Sequence, residues 1–457
     1  MPRTARMPSQ FALLGTRRFL PLFLVQFLGA FNDQTYQRAF VALLTFRLAD
    51  DLDMPLEMLG VIASGLFILP FALITPTAGQ IADRVNKAAM MRVVKGSEVV
   101  VMLLAVIGFH TQHVVFLYFV LFLMGAQSAM FAPIKYSILP QYLERRELLG
   151  GNGLVQAFTF LAIIFGAIAG NELILGDQGV LIISVFVVAV AVIGFVASLF
   201  APPALPRGPA EPVDPFFPRA IWRLVGHCRT YRKPFMTMLS ISWFWFLGAT
   251  FLSLLPAYAR DGLGADAGVL TVLLTGFSVG VAIGALASAR LNRGRIGVTV
   301  VPIGALGIAV MAVELWFASQ GFPREADGSL RDRAAFFADP AGWRVLIDFV
   351  LIAAFGGLYV TPLNALLQVL SPAAQRARFI ACSNVVDAGF MVSSAVFVAA
   401  FVALGLRAID VLAICALTAL PIGVAVARHA PETRLGRMAL AVFPRTTRDL
   451  PDGITGD

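Results

Sequence analysis

Residues 18–47 read RFLPLFLVQFLGAFNDQTYQRAFVALLTFR, a run long and apolar enough for a membrane-crossing helix, with Asp33 at its centre. Arg18 and Arg47 bracket the run almost symmetrically. At about 1.5 Å per residue, the Asp33 carboxylate lies roughly 22 Å from either arginine, near the midplane of a hydrocarbon layer about 30 Å thick. A carboxylate there is costly unless it faces a partner or a watery cavity. A chain that keeps one is expected to use it.

Of the 457 residues, 58% are hydrophobic and 14% charged. Soluble domains run nearer about 45–50% apolar and about 25% charged, so this reads as an all-α membrane protein. Cys228, Cys382 and Cys415 are odd in number and widely spaced, which gives no disulfide framework and no metal-ligand cluster. No cofactor or metal is expected. No small-residue cleavage site follows the first apolar run, which continues to Phe46; it reads as an uncleaved first span.

Apolar stretches fall at 18–46, 56–82, 88–109, 113–142, 148–175, 178–201, 234–259, 266–289, 298–319, 342–370, 376–403 and 406–427. They predict twelve transmembrane helices, several long enough to tilt or bend. Basic residues alternate between the connections. Arg3, Arg6, Arg17, Arg18, Arg84, Lys87, Arg92, Lys95, Arg145, Arg146, the segment Arg207 to Lys233, Arg290, Arg293, Arg295, Arg376, Arg378 and the C-terminal arginines from Arg428 fall on one side. Arg47, Arg260, Arg324, Arg331, Arg333, Arg344 and Arg407 fall on the other. The positive-inside rule puts both termini in the cytoplasm. The net charge of +8 is thereby explained by topology, and no compact basic domain points to nucleic acid.

The loop 202–233 opens Pro202-Pro203 and is proline-rich to Pro218, so it begins as an extended linker. Residues 219–231 are amphipathic and suit the cytoplasmic membrane face. The expected organisation is a six-helix bundle over 1–201, a linker over 202–233, a second six-helix bundle over 234–428 and a cytoplasmic tail over 429–457. The halves echo one another. Phe27-Leu28-Gly29-Ala30 recurs as Phe246-Leu247-Gly248-Ala249, Pro133 to Lys135 as Pro362 to Asn364, and Gly153 to Ala157 as Asn384 to Ala388. Repeat-built transporters place their substrate site near the midplane between repeats. The position matching Asp33 is Leu252, so the acid belongs to the first half alone.

Polar residues recur inside the spans. Gln26, Gly29, Asp33 and Gln37 are spaced by threes and fours and share one stripe of span 1, beside Asn32 and Tyr36. The stripe either binds helices together or lines a cavity. Lys95 and Glu98 in span 3 can pair locally or serve a site. Lys135 in span 4, after Gln127 and Ser128, either snorkels to the interface or offers a cation to Asp33, Glu98 or an anionic ligand. Asn152, Gln156 and Thr159 share a face of span 5; Tyr359, Asn364 and Gln368 lie in span 10, and Asn384 and Asp387 in span 11. Singly such groups are packing glue; as a set they suggest a polar chamber.

Gly79-Gln-Ile-Ala-Asp83-Arg84-Val-Asn-Lys87 closes span 2. It resembles the signature loop of the major facilitator superfamily, which implies the major facilitator fold. By that resemblance Gly79, Asp83, Arg84 and Lys87 form a cytoplasmic latch governing alternating access. The counterpart running from Gly284 to Arg290 lacks the acid. Arg18 to Asp33, Gly125 to Gln141 and Glu147 to Gly153 are similar to the bacterial lysophospholipid transporter family. The resemblance implies a flippase moving lysophospholipids, chiefly lysophosphatidylethanolamine, from the outer to the inner leaflet of the bacterial inner membrane. It also implies membrane lipids as surroundings and a cytoplasmic acyltransferase/acyl-carrier-protein synthetase acting on the product. The family pattern has Asn after the Asn-Asp pair and Lys three residues later; here Gln34 and Gln37 stand there, with Arg38 adjacent. A monomer is expected. The alternative is a major facilitator exporter of amphipathic drugs or metabolites. Catalysis is not expected, because none of His110, His113, His227 or His429 has the Asp five positions on that membrane acyltransferases use.

Overall fold

The computed structural model describes residues 9–48, 56–208, 213–214, 216–292, 296, 299–323 and 329–427. The expected tail 429–457 and the basic residues Arg3, Arg6, Arg293, Arg295, Arg324 and Arg428 lie outside the described residues. After a 3-10 turn at Gln10–Gly15 come α1 (Leu20–Arg47), α2 (Leu56–Arg84), α3 (Lys87–Thr111), α4 (Val114–Ser137), α5 (Leu139–Tyr142), α6 (Leu148–Leu175), α7 (Gly179–Leu199) and α8 (Phe217–Arg229). There follow α9 (Arg232–Ala257), a π turn (Tyr258–Gly262), α10 (Ala267–Leu291), α11 (Val301–Ser319), α12 (Arg333–Ala338), α13 (Pro340–Leu370), α14 (Arg376–Ala403), α15 (Ala408–Leu417) and α16 (Ala419–Ala427). Among the described residues there is no strand, only a single bridge between Ala265 and Arg331.

Helix covers nearly all of each apolar stretch named above, and among the described residues ten helices can cross a membrane by length and composition. The ten do not include α1 and α3, whose interiors carry Asp33 and Arg38 in one and Arg92, Lys95 and Glu98 in the other. Two stretches read as single helices are divided by proline. Pro140 has no amide for the carbonyl of Tyr136, and α4 gives way to α5 at Ile138. Pro421 likewise leaves Leu417 without a donor, and the chain turns at Thr418 between α15 and α16.

The chain forms two compact units. The first comprises Met1–Phe246 with Asn364–Ser394, the second Leu247–Leu363 with Ala395–Asp457. In the first, α1 contacts α2, α4, α6 and α7. Gly166 and Gly170, one turn apart on α6, lie against the backbone of Phe31 and Thr35, where any side chain would strike a carbonyl oxygen. Such small residues let helices meet closely enough for dispersion and polar contacts to hold them in lipid. Tyr36, Phe40 and Phe109 bury an aromatic cluster nearby, and the Tyr36 hydroxyl donates to the Leu117 carbonyl at 2.9 Å.

The predicted amphipathic segment is α8. Ala220, Leu224 and Cys228 recur every fourth residue and are buried, and α8 contacts α2. The opposite face exposes Trp222 with Arg219, Arg223 and Arg229. The helix begins two residues before the sequence reading because Pro218 suits a first turn, where its missing amide costs nothing. In the second unit Gly280 and Gly284 on α10 abut the α13 backbone at Val350 and Ala354, while α11 packs on α15 and α16.

Candidate functional site

Every residue singled out for a site lies in the first unit except Tyr359, which lies in the second. Asp33 accepts hydrogen bonds from Ser128 Oγ at 2.6 Å and Gln127 Nε2 at 3.3 Å, so α4 supplies both donors. Asn32, one residue back and about 100° round the helix, faces α3 instead. Its side-chain amide donates to Glu98 Oε1 at 3.1 Å, and Lys95 Nζ lies 2.5 Å from Glu98 Oε2. Asn32, Lys95 and Glu98 are all essentially fully buried. The Lys95 ammonium fills the space that a side chain on Gly29 would take, 5.2 Å from the centre of the Phe131 ring. A buried ion pair is tolerated when further hydrogen bonds complete it, and Asn32 does so here.

Lys135 lies two turns along α4 from Ser128, with its ammonium 5.0 Å from the centre of the Tyr136 ring. It is near enough to Asp33 for their charges to act on each other, yet among the described residues it makes no ion pair. The cluster thus holds two acids and two bases, of which only Lys95 and Glu98 are joined.

The other polar residues distribute among helix pairs. Gln26 Nε2 donates to Thr159 Oγ1 of α6 at 2.9 Å. Asn152 and Gln368 exchange hydrogen bonds at 3.0 and 2.7 Å, tying α6 to α13. Gln156 accepts from the Tyr136 hydroxyl at 3.0 Å. Asp387 accepts from Ser242 Oγ at 2.5 Å and lies close enough to Tyr136 for its charge to be felt. Gln37 has only a long 3.5 Å contact with Gln34. Asn364 is half-buried, and so is Asn384, whose side-chain nitrogen has no partner among the described residues. Along the stripe read on α1, Gln26 meets α6, Gly29 meets α3 and Asp33 meets α4. Ser242 and Tyr136 were not singled out by sequence, since a serine and a tyrosine among aromatic and apolar neighbours carry no signal of their own.

At the end of α2, the Asp83 carboxylate accepts from the backbone amides of Ala377 and Arg378, both at 3.0 Å. These are the free amides of the first turn of α14, and an acid satisfies them and the helix dipole together. Lys87 Nζ lies 3.6 Å from Asp83, and Gly79 leaves room for Ala377 and Ala381. Arg84 is exposed and, among the described residues, makes no ion pair. Adjacent residues point about 100° apart on a helix, so Asp83 and Arg84 cannot share one contact. The partner of Asp83 is Lys87, one turn on. The linker docks on the same end: Ala204 bonds Asn86 and Lys87, Asp214 N donates to Gln80, and His227 lies 2.8 Å from Gln375.

The family model described as Major Facilitator Superfamily matches residues 22–331. The chain belongs to the major facilitator superfamily. The lysophospholipid transporter LplT of Serratia proteamaculans is 30% identical over 79% of this chain and 82% of its own length. The protein of that name from Yersinia enterocolitica is 29% identical over 77% and 79%. Within the superfamily, the chain belongs to the family of these relatives. Solved major facilitator structures share the fold at low identity. The human organic anion transporter MFSD10 superposes with a TM-score of 0.64 at 12% identity, covering 90% of this chain and 97% of its own. The E. coli fucose:proton symporter gives 0.64 at 16%, covering 89% and 98%. These relatives and neighbours are transporters, not enzymes. The chain is a multi-pass, all-α membrane protein with the major facilitator fold.

Proposed function

We propose that this protein is a lysophospholipid transporter that carries lysophospholipids such as lysophosphatidylethanolamine from the outer to the inner leaflet of the bacterial inner membrane by alternating access. Both termini are cytoplasmic in this reading, and the Asp83 latch closes the cytoplasmic end. One observation carries it: Asp33 and Lys135 are an acid and a base in one cluster, and neither makes an ion pair among the described residues. A lysophosphatidylethanolamine head bears an ammonium and a phosphate, so it can answer both. Its single acyl tail stays in an apolar environment while the head crosses among polar side chains. The kinship with proteins named lysophospholipid transporter supports the same substrate class. A cytoplasmic acyltransferase/acyl-carrier-protein synthetase would consume the product, and the transporting species is the monomer.

The test is uptake of labelled lysophosphatidylethanolamine into proteoliposomes, with and without ionophores, for the wild type and Asp33→Asn. Uptake lost in the variant supports the reading. Uptake at the wild-type rate removes Asp33 from the site. No uptake by the wild type, with raised drug sensitivity in a deletion strain, would favour an exporter of amphipathic compounds instead.

A further inference from the structure

We infer that Asp348, in the second unit, is a proton-binding site, and that Arg344 passes between Glu314 and Asp348 as the proton comes and goes. Asp348 lies two turns into α13, a helix apolar and long enough to cross a membrane. Its side chain is 5% exposed, and its Oδ2 is buried without a hydrogen-bond partner among the described residues. An ionised carboxylate left so is strongly disfavoured; a carboxyl that holds a proton is not.

The charged neighbours divide unevenly. Arg344 stands one turn before Asp348 on the same helix and gives two nitrogens to Glu314 Oε1 of α11, at 2.5 and 2.8 Å. The side chains of this pair are 53% and 38% exposed, and the charge pattern puts Arg344 at the rim on the non-cytoplasmic side. Both Glu314 and Arg344 are close enough to act on Asp348 electrostatically. Among the described residues Tyr258 is a further ionisable neighbour; its hydroxyl is engaged with Ser319 Oγ at 2.7 Å and its ring lies 5.8 Å from that of Phe349. Helix α10, packed against Leu346 and Val350 through Gly276, has Arg290 as its sole charged residue, at the far end.

One guanidinium therefore serves two carboxylates. With Arg344 on Glu314, the arrangement is balanced when Asp348 carries a proton. Loss of that proton to water at the rim leaves a buried charge whose nearest answer is Arg344, four residues away on the same face. Glu314, being exposed, keeps its charge in water when the arginine leaves it. Such an exchange gives a major facilitator chain a means to couple its conformations to a proton gradient.

Infrared difference spectra of reconstituted protein, taken between acidic and alkaline buffers with no lipid substrate present, test this independently of what the protein transports. The wild type should lose a protonated-carboxyl band that is missing from Asp348→Asn. Glu314→Gln, which releases Arg344, should lower the proton affinity of that band about tenfold, one pH unit on its midpoint. Arg344→Gln should raise it. Monodispersity and helix content of each variant exclude misfolding as the cause. An undiminished band in Asp348→Asn overturns the inference. So does a midpoint unmoved by both rim variants, or a band that sodium abolishes at constant pH.

Discussion

Ser128 Oγ lies 2.6 Å from Asp33 Oδ2, and this hydrogen bond fixes the carboxylate at the middle of α1 against α4. Asp33→Asn keeps the volume but removes the charge and replaces one acceptor oxygen with a donor. Hydrogen bonds to charged groups are worth about 1.5–3 kcal/mol, so lysophosphatidylethanolamine uptake should fall tenfold or more, as about 1.4 kcal/mol is a factor of ten. Ser128→Ala should reduce uptake by only a few-fold, because Gln127 still donates to the same carboxylate. Initial uptake rates in proteoliposomes, normalised to protein inserted, decide both.

The buried Lys95–Glu98 pair predicts a different pattern, in stability. Removing one partner leaves an uncompensated charge and should cost about 3–5 kcal/mol, whereas replacing both with apolar residues of similar size should be close to neutral. Glu98→Leu and Lys95→Met alone should each unfold well below the wild type in detergent, and the double variant should recover most of the loss. Gly29→Ala should behave like a single variant, since its methyl group would displace the Lys95 ammonium. Additive losses in the double variant would show that the pair is not coupled.

Much of this architecture was legible in the residues. Long apolar runs announce membrane helices even around an acid, but the breaks at Pro140 and Pro421 were not read, because Pro133, Pro256 and Pro362 lie inside helices that continue through them. The Asp83 motif was visible because its spacing is strict. What could not be read was how the polar groups pair. A stripe of threes and fours identifies one face of α1, but a helix with neighbours on several sides has no single interior face. Gln26 with Thr159 and Asn152 with Gln368 are helix-to-helix pairs that span up to 216 residues of sequence, and no local pattern encodes them. Asp348 stayed hidden for a simpler reason: four residues after Arg344, it looks like half of an ordinary helical ion pair, until Glu314 is found holding that arginine.

The latch is testable through two cysteines. Cys228 on α8 and Cys382 on α14 are both buried, and they lie beside one another. Asp83→Asn weakens the two hydrogen bonds to the first turn of α14 and removes the charge that answers its dipole. A loss of about 1–2 kcal/mol would multiply the open population by about 5–30. Modification by a maleimide, in a Cys415→Ser background, should accelerate by that factor. Arg84→Gln should leave the rate nearly unchanged, because the exposed Arg84 takes no part in the contact. Equal acceleration by the two variants would mean that the arginine shares the latch.

The linker makes a prediction in pH. Asp214 receives Arg219 Nε at 2.8 Å and Arg223 at 3.0 Å, while its own amide donates to Gln80 on α2. The hydrogen bond from Arg219, helped by the Phe216 amide and by both arginine charges, holds the Asp214 carboxyl below its ordinary value. A depressed carboxyl stabilises the docked form above its undocked pKa, and that contribution is lost as pH falls through the docked one. The docking of α8 should therefore be level from neutral pH down to about 4, the ordinary aspartate range, and weaken only below it. Trp222 on the exposed face of α8 reports this, with its fluorescence isolated by difference against Trp222→Phe. Asp214→Asn should remove the acid transition and loosen α8 at every pH. An acid transition that survives in Asp214→Asn would mean that this carboxyl does not govern the docking of α8.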